Sequence, residues 1–196
     1  MTKMFEQFKR KFPHLKERLD GYAEKCERLE VPARTMLLRE GEISRRCLYV
    51  EEGCLRVWFN DQGKDVTFQF CFENQGLSSI ESFLKHTPSM FTIETIEPSV
   101  ISVLKMTDFE AIMQELQDDP AVLREAINIL FNRQLHYMRE FLSFIKDTPK
   151  QRYLDLVAER PHIVQRIPQH YVASYLGITP VHLSRIRNGL LRENRT

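Results

Sequence analysis

The segment QHYVASYLGITPVHLSRIRN, Gln169 to Asn188, places Val181, Ser184, Arg185 and Asn188 on one side of a short helix. Those residue types carry the chemistry of base-edge recognition. Arginine donates in bidentate fashion to guanine, asparagine pairs with adenine, serine serves either, and a small apolar side chain fits a thymine methyl. Arg192 continues the same side a turn later, and Arg187 falls at its flank, where a phosphate contact suits a guanidinium better than a base contact. Thr179 and the helix start suit a phosphate as well. Gln169 and His170, at the beginning of the preceding helix, are candidates for backbone contacts.

Such a face needs two helices crossing steeply behind it. Ala173 is small enough for close approach, and Gly177 supplies the left-handed backbone of a tight turn. Val172, Leu176, Ile178, Leu183 and Ile186 fill the wedge, with Leu190 on the same side. Thr179 caps the second helix and Pro180 fits its first turn. This is a helix-turn-helix pattern. The plainer alternative is a helical hairpin that only packs, with arginines for solubility.

Upstream, Pro120 opens a long amphipathic stretch to Ile145. Phe131, Leu135, Met138, Leu142 and Ile145 recur at a 4-3-4-3 spacing, extended N-terminally by Leu123, Ile127 and Leu130, the seam of a two-stranded coiled coil. The seam residues Ile127, Phe131, Leu135, Met138, Leu142 and Ile145 predict a homodimer. The alternative is packing on the chain's own β-domain, for which Phe141 and Phe144, off the seam, are the residues. Thr148-Pro149 reads as a cap and first helical residue, beginning KQRYLDLVAERP, which stops at Pro161.

Before Met106 the grammar differs. Residues 3 to 29 read as helix broken near Pro13. From Val31 to about Lys105, short β-branched and aromatic runs alternate with turn signals, and WFNDQGKDV reads as a hairpin with Asp61-Gln62-Gly63 as its turn. Thr107-Asp108 are placed to cap DFEAIMQEL. The predicted class is α+β: an antiparallel β-roll or jelly roll with flanking helices over residues 1–118, a long dimerisation helix and hinge over 119–147, and a helical DNA-binding domain over 148–196.

The chain of 196 residues, 42% hydrophobic and 28% charged, is long enough to bury a core. Its charged, amphipathic N-terminus lacks the apolar stretch of a signal peptide, and no run reaches the roughly 18 apolar residues of a membrane span, so a cytoplasmic location is expected. The net charge of +1 hides an asymmetry: from Lys150 onward eight basic residues face three acidic ones, a local +5 on a body of −4. A basic tail on an acidic body points to a polyanion for the tail alone. Cys26, Cys47, Cys54 and Cys71 form no CxxC pair and read as reduced thiols; neither a metal nor another cofactor is expected.

In this order of parts, and through LLREGEISRRCLYVEEGCLRVWF and ASYLGITPVHLSRIRNGL, the chain resembles the Crp/Fnr family of bacterial transcription regulators. The resemblance implies a homodimer joined along the long helix, with two recognition helices in successive major grooves about 34 Å apart on a near-palindromic double-stranded operator. It also implies that Arg185 reads a base. Pro180 and Val181 stand where relatives often carry polar readers, so an operator sequence does not carry over. Relatives that bind cyclic AMP hold its phosphate with an arginine followed by a small residue, and use an upstream Gly-Glu pair. In NQGLSSIESFLKHTPSMFTIET, Ser89 or Met90 stands at the arginine position and SSIES replaces the Gly-Glu turn, leaving Ser79, Glu81, Ser82 and Ser89 as candidate pocket residues, with Lys85 and His86 on a loop. A cyclic phosphate there lacks its cation, so the expected effector is an unknown small molecule, not cyclic AMP. Relatives often end in a β-hairpin wing. With LLRENRT following the recognition helix, a wing is expected before that helix or nowhere.

Two other classes are open. One is a jelly-roll ligand-binding or cupin-type enzyme module. None of the six histidines (His14, His86, His136, His162, His170, His182) falls in a predicted strand, and no catalytic constellation stands out, so no enzyme is expected. The other is a partner-binding module whose C-terminal helices serve protein interaction.

Overall fold

A computed structural model describes Thr2–Glu193; Arg195 of the basic tail lies outside the described residues. The chain divides into two compact units: residues 1–59 with 70–128, and residues 60–69 with 129–196. The division between these compact units falls within the long helix, and the tip of one β-hairpin is grouped with the C-terminal helices.

In the first unit, helix α1 (Glu6–Lys11), a 3-10 turn (Pro13–Leu15) and helix α2 (Lys16–Lys25) precede the roll. Pro13 breaks the helix as its ring requires. The helical reading to residue 29 is corrected: Cys26 is extended and Glu27–Val31 is strand β1, whose five residues pair antiparallel with strand β8 (Ser99–Lys105), Leu29 opposite Ile101. Tertiary pairing overrides local helix preference there.

One four-stranded sheet runs β1-β8-β3-β6, where β3 is Arg46–Glu52, β6 Gly76–Leu77 and β8 Ser99–Lys105. The other runs β2-β7-β4-β5, where β2 is Met36–Leu38, β4 Leu55–Asp61, β5 Lys64–Cys71 and β7 Thr92–Thr95. Leu48, Val50, Leu55, Val57, Ile93, Ile101 and Val103 form the core of the roll. Each such side chain stabilises by about 1.5–3 kcal/mol relative to exposure. The opposite face of β8 is buried too. Leu104 joins Phe5, Phe12, Leu15 and Leu19 of the N-terminal helices and Ile112 and Leu116 of helix α4. On the same face of β8 as Leu104, Ser102 donates to the buried carboxylate of Glu51 and accepts from Thr2 Oγ1 at 2.5 Å, tying the N-terminal arm to the sheet.

Helix α3 (Ile80–Lys85), where a loop is expected, ends at His86 with φ +56°. Helix α4 (Met106–Leu116) begins at Met106 with Lys105 at its N-cap, so Thr107 and Asp108 lie inside the first turn and do not cap it. Helix α5 runs Pro120–Lys146, its first turn capped by Asp119 Oδ1, which accepts from Ala121 N at 2.9 Å. No helix among the described residues is long and apolar enough to cross a membrane.

In the second unit the hairpin turn is Gln62-Gly63, with φ +50° and +87°, and Asp61 belongs to the strand. Two successive left-handed residues match the twist of a two-residue hairpin loop. Helix α6 (Pro149–Glu159) starts as expected, with Thr148 Oγ1 accepting from Gln151 N at 3.2 Å. Helix α7 (Pro161–Arg166), not anticipated from sequence, precedes α8 (Gln169–Tyr175) and α9 (Pro180–Glu193). Among the described residues after Lys146 there is no strand, hence no wing before α9.

Candidate nucleic-acid interface and sensor site

Helix α8 ends in a Schellman turn: Ile178 N donates to Ala173 O and Gly177 N to Ser174 O, each at 3.0 Å, with Gly177 at φ +68°. A Cβ at Gly177 would lie 3.0 Å from the Phe144 ring, so glycine is favoured by conformation and fits with no shift of that ring. Ala173 and Leu183 are buried completely or nearly so, as close crossing of α8 and α9 demands. Thr179 Oγ1 accepts from His182 N at 3.2 Å, the anticipated cap.

On α9 the anticipated division is present. Leu183 and Ile186 are buried and Leu190 half-buried, while Val181, Ser184, Arg185, Asn188 and Arg192 are exposed; Val181 is 61% exposed. Arg187 is half-buried at the flank, and Thr179, Gln169 and His170 are exposed.

Several residues that hold this face were not singled out from sequence. Arg160 donates to Glu140 Oε1 at 2.7 Å and to the Tyr175 hydroxyl at 2.8 Å, and that hydroxyl donates to Glu140 Oε2 at 2.6 Å. Burial pushes the Tyr175 phenol well above its ordinary range, with the Glu140 carboxylate adding to the rise, so it remains a donor. Arg152 lies 4.7 Å from the Phe144 ring centroid and donates to the carbonyls of Asp147 and Leu176. Ser174 Oγ accepts from Thr67 N at 2.9 Å and donates to Asp65 O at 2.8 Å, joining α8 to the hairpin tip. These partners are 5 to 109 residues apart, and no periodicity marks them.

The seam residues of α5 lie on its exposed surface: Ile127, Phe131, Leu135, Met138, Leu142 and Ile145 are 41% to 67% exposed. Phe141 and Phe144 do not act as the sequence suggests. Phe141 is exposed, and Phe144 lies against Gly177 and Arg152.

Of the candidate sensor residues, Ser79, Ser82 and Ser89 are buried together and Glu81 is not among them. The Ser89 and Ser79 hydroxyls hydrogen-bond each other at 3.0 Å, Ser89 Oγ donates to Phe91 O at 2.7 Å, and Ser82 Oγ accepts from Ser44 N at 2.8 Å. Glu81 pairs instead with Lys85 at 3.0 Å on the outside of α3, and His86 is exposed. The hydroxyls are thus engaged within the roll. These three side chains are short and neutral and bring no cation of their own to a cyclic phosphate.

None of the four cysteines is joined in a disulfide. Cys54 and Cys71 are buried, and burial raises Cys26 and Cys47 to about 11, which leaves them inert at neutral pH.

Residues 28–116 match the cyclic nucleotide-binding domain family. No curated protein sequence matches the chain. Among solved structures it is similar to the c-di-GMP responsive global regulator CLP of Xanthomonas campestris, at 16% identity over 93% of each chain with a TM-score of 0.72. It is also similar to a CooA mutant from Carboxydothermus hydrogenoformans, at 15% identity over 88% of this chain and 79% of that one with a TM-score of 0.68. A third is a protein from Eubacterium rectale assigned to the Crp/Fnr family, at 16% identity over 90% and 83% with a TM-score of 0.69.

Proposed function

We propose, from a chain that carries a cyclic nucleotide-binding domain over residues 28–116 and has the fold of Crp/Fnr regulators along its length, that this protein is a homodimeric transcription regulator that binds double-stranded DNA in a sequence-specific manner. The observation that carries the reading is the two-sided α9: Leu183 and Ile186 are buried behind Val181, Ser184, Arg185 and Asn188, which present base-reading chemistry to solvent. The exposed stripe of α5 supports self-association, which would pair two such faces on a near-palindromic operator. In this reading Arg185 reads guanine, Val181 touches a thymine methyl, Asn188 and Ser184 read neighbouring edges, and Arg187, Thr179, Gln169 and His170 hold phosphates. The sensor does not take cyclic AMP, because Ser79, Ser82 and Ser89 spend their hydroxyls on one another and on the chain; Glu81 is not one of its ligands. Another small molecule remains the effector of this reading.

Selection of genomic fragments by the full-length protein tests the proposal. Enrichment of a near-palindromic motif is expected, and Arg185→Ala should reduce discrimination at one position per half-site by about 1–3 kcal/mol. Unchanged affinity and base preference in that variant would refute the groove assignment. Calorimetric titration with cyclic AMP should show no heat of binding.

A further inference from the structure

Beside the base-reading face lies an open hollow of about 580 Å³, lined by Lys150 from the first turn of α6 and by Thr179, His182, Arg185, Gly189 and Glu193. Its lining is rich in donors: an ammonium, a guanidinium, an imidazole and a hydroxyl. Val181 and Ile186 form the apolar part of the lining, and its one carboxylate is Glu193, whose two oxygens lie 2.8 and 3.0 Å from Lys150 Nζ. Both side chains are about half-exposed, at 47% and 60%, so this is a pair in high dielectric that another anion can open. A carboxylate is the wrong group to hold against a phosphate backbone, and here it sits on the one lysine of the hollow.

We propose that the hollow is a phosphate cradle in which Lys150 grips the DNA backbone beside the recognition face, and that Glu193 masks Lys150 in the free protein. This rests on the DNA-binding reading above. On binding, the ammonium exchanges a carboxylate for a phosphate oxygen, and Glu193 turns to water. No charge is left unpaired in a dry environment at either stage, so the exchange is cheap and reversible. Its effect is to weaken attraction to any duplex, leaving a larger share of discrimination to the base contacts of Arg185 and its neighbours.

The test measures binding of the full-length protein to two duplexes of about 30 base pairs, one enriched by genomic selection and one of unrelated sequence, across a salt series. Lys150→Gln should weaken both duplexes alike and reduce the slope of log affinity against log salt by about one per protomer engaged. Glu193→Gln should strengthen both by about threefold or more at low salt, and should do so only while Lys150 is present. Circular dichroism of each variant checks that the helices are intact. A wild-type slope retained in Lys150→Gln, or a Glu193→Gln effect of equal size in the Lys150→Gln background, overturns the cradle while leaving DNA binding in place. Failure of the wild type to bind either duplex overturns the regulator reading and the cradle together.

Discussion

At the scale of single residues, two positions carry consequences out of proportion to their size. Gly177 holds φ +68°, and a Cβ there would press on the Phe144 ring at 3.0 Å. Gly177→Ala should therefore destabilise the C-terminal helices by about 1–2 kcal/mol, read as a lowered melting midpoint, and should weaken any DNA binding with it. A variant as stable as wild type would mean that α8 and α9 turn by another route. Glu51 is the second. Burial by itself would raise its carboxyl, but hydrogen bonds from Ser102, the Lys3 amide, Thr2 and Arg28 outweigh it and hold the group below its ordinary value. Because the folded value is depressed, its stabilisation is complete above the ordinary carboxylate range and is lost as pH falls through the folded value. Glu51→Gln should accordingly lower stability at pH 7 and flatten the loss of stability on acidification. An acid limb as steep as that of wild type would assign the pH dependence to other carboxylates.

At the scale of elements, α5 shows how one helix can be amphipathic without being covered. Its single fully buried residue among those described is Val122, near the N-terminal end, while the seam from Ile127 to Ile145 is exposed. Leu135→Glu places a charge in the middle of that seam and removes nothing from a core. Light scattering should show the wild type as a dimer and the variant as a monomer, with an unchanged helical spectrum. A wild type that stays monomeric at tens of micromolar would rule out the seam as a dimer contact. The helix-turn-helix was legible in the sequence because its determinants are local: a glycine, a cap and a wedge within twenty residues. Helices α3 and α7 were not legible, since six residues leave little room for a period to declare itself.

At the scale of the whole molecule, the compact units do not follow chain order. Residues 60–69, the tip of a hairpin, group with the C-terminal helices. The bond pair at Ser174 is one point of attachment, with Thr67 buried there, and the Tyr137 hydroxyl, donating to Gln69 Oε1 at 2.8 Å, is another. Ser174→Ala leaves the Thr67 amide and the Asp65 carbonyl without that partner, a cost of about 1–3 kcal/mol. Hydrogen exchange at the Thr67 amide should speed up, together with that of α8. If the Thr67 amide exchanged no faster, the hairpin tip would be held by something other than this hydroxyl.

What the sequence determined by itself was whatever is written in short-range spacing: the β-roll as a class, the apolar stripe of α5, the turn at Gly177 and the outward set on α9. Short-range patterns are legible because helix and strand periods fix which side chains share a face before any packing occurs. Only the tertiary structure decided how those pieces are held. Glu140 on α5, Arg160 at the junction of α6 and α7, and Tyr175 on α8 meet, Ser174 reaches a hairpin more than a hundred residues earlier, Glu27–Val31 becomes a strand because β8 offers an edge, and Ser79 and Ser89 spend their hydroxyls on each other. Hydrogen bonds between residues far apart in the chain depend on where the backbone brings their atoms, and that geometry has no period for a sequence to display.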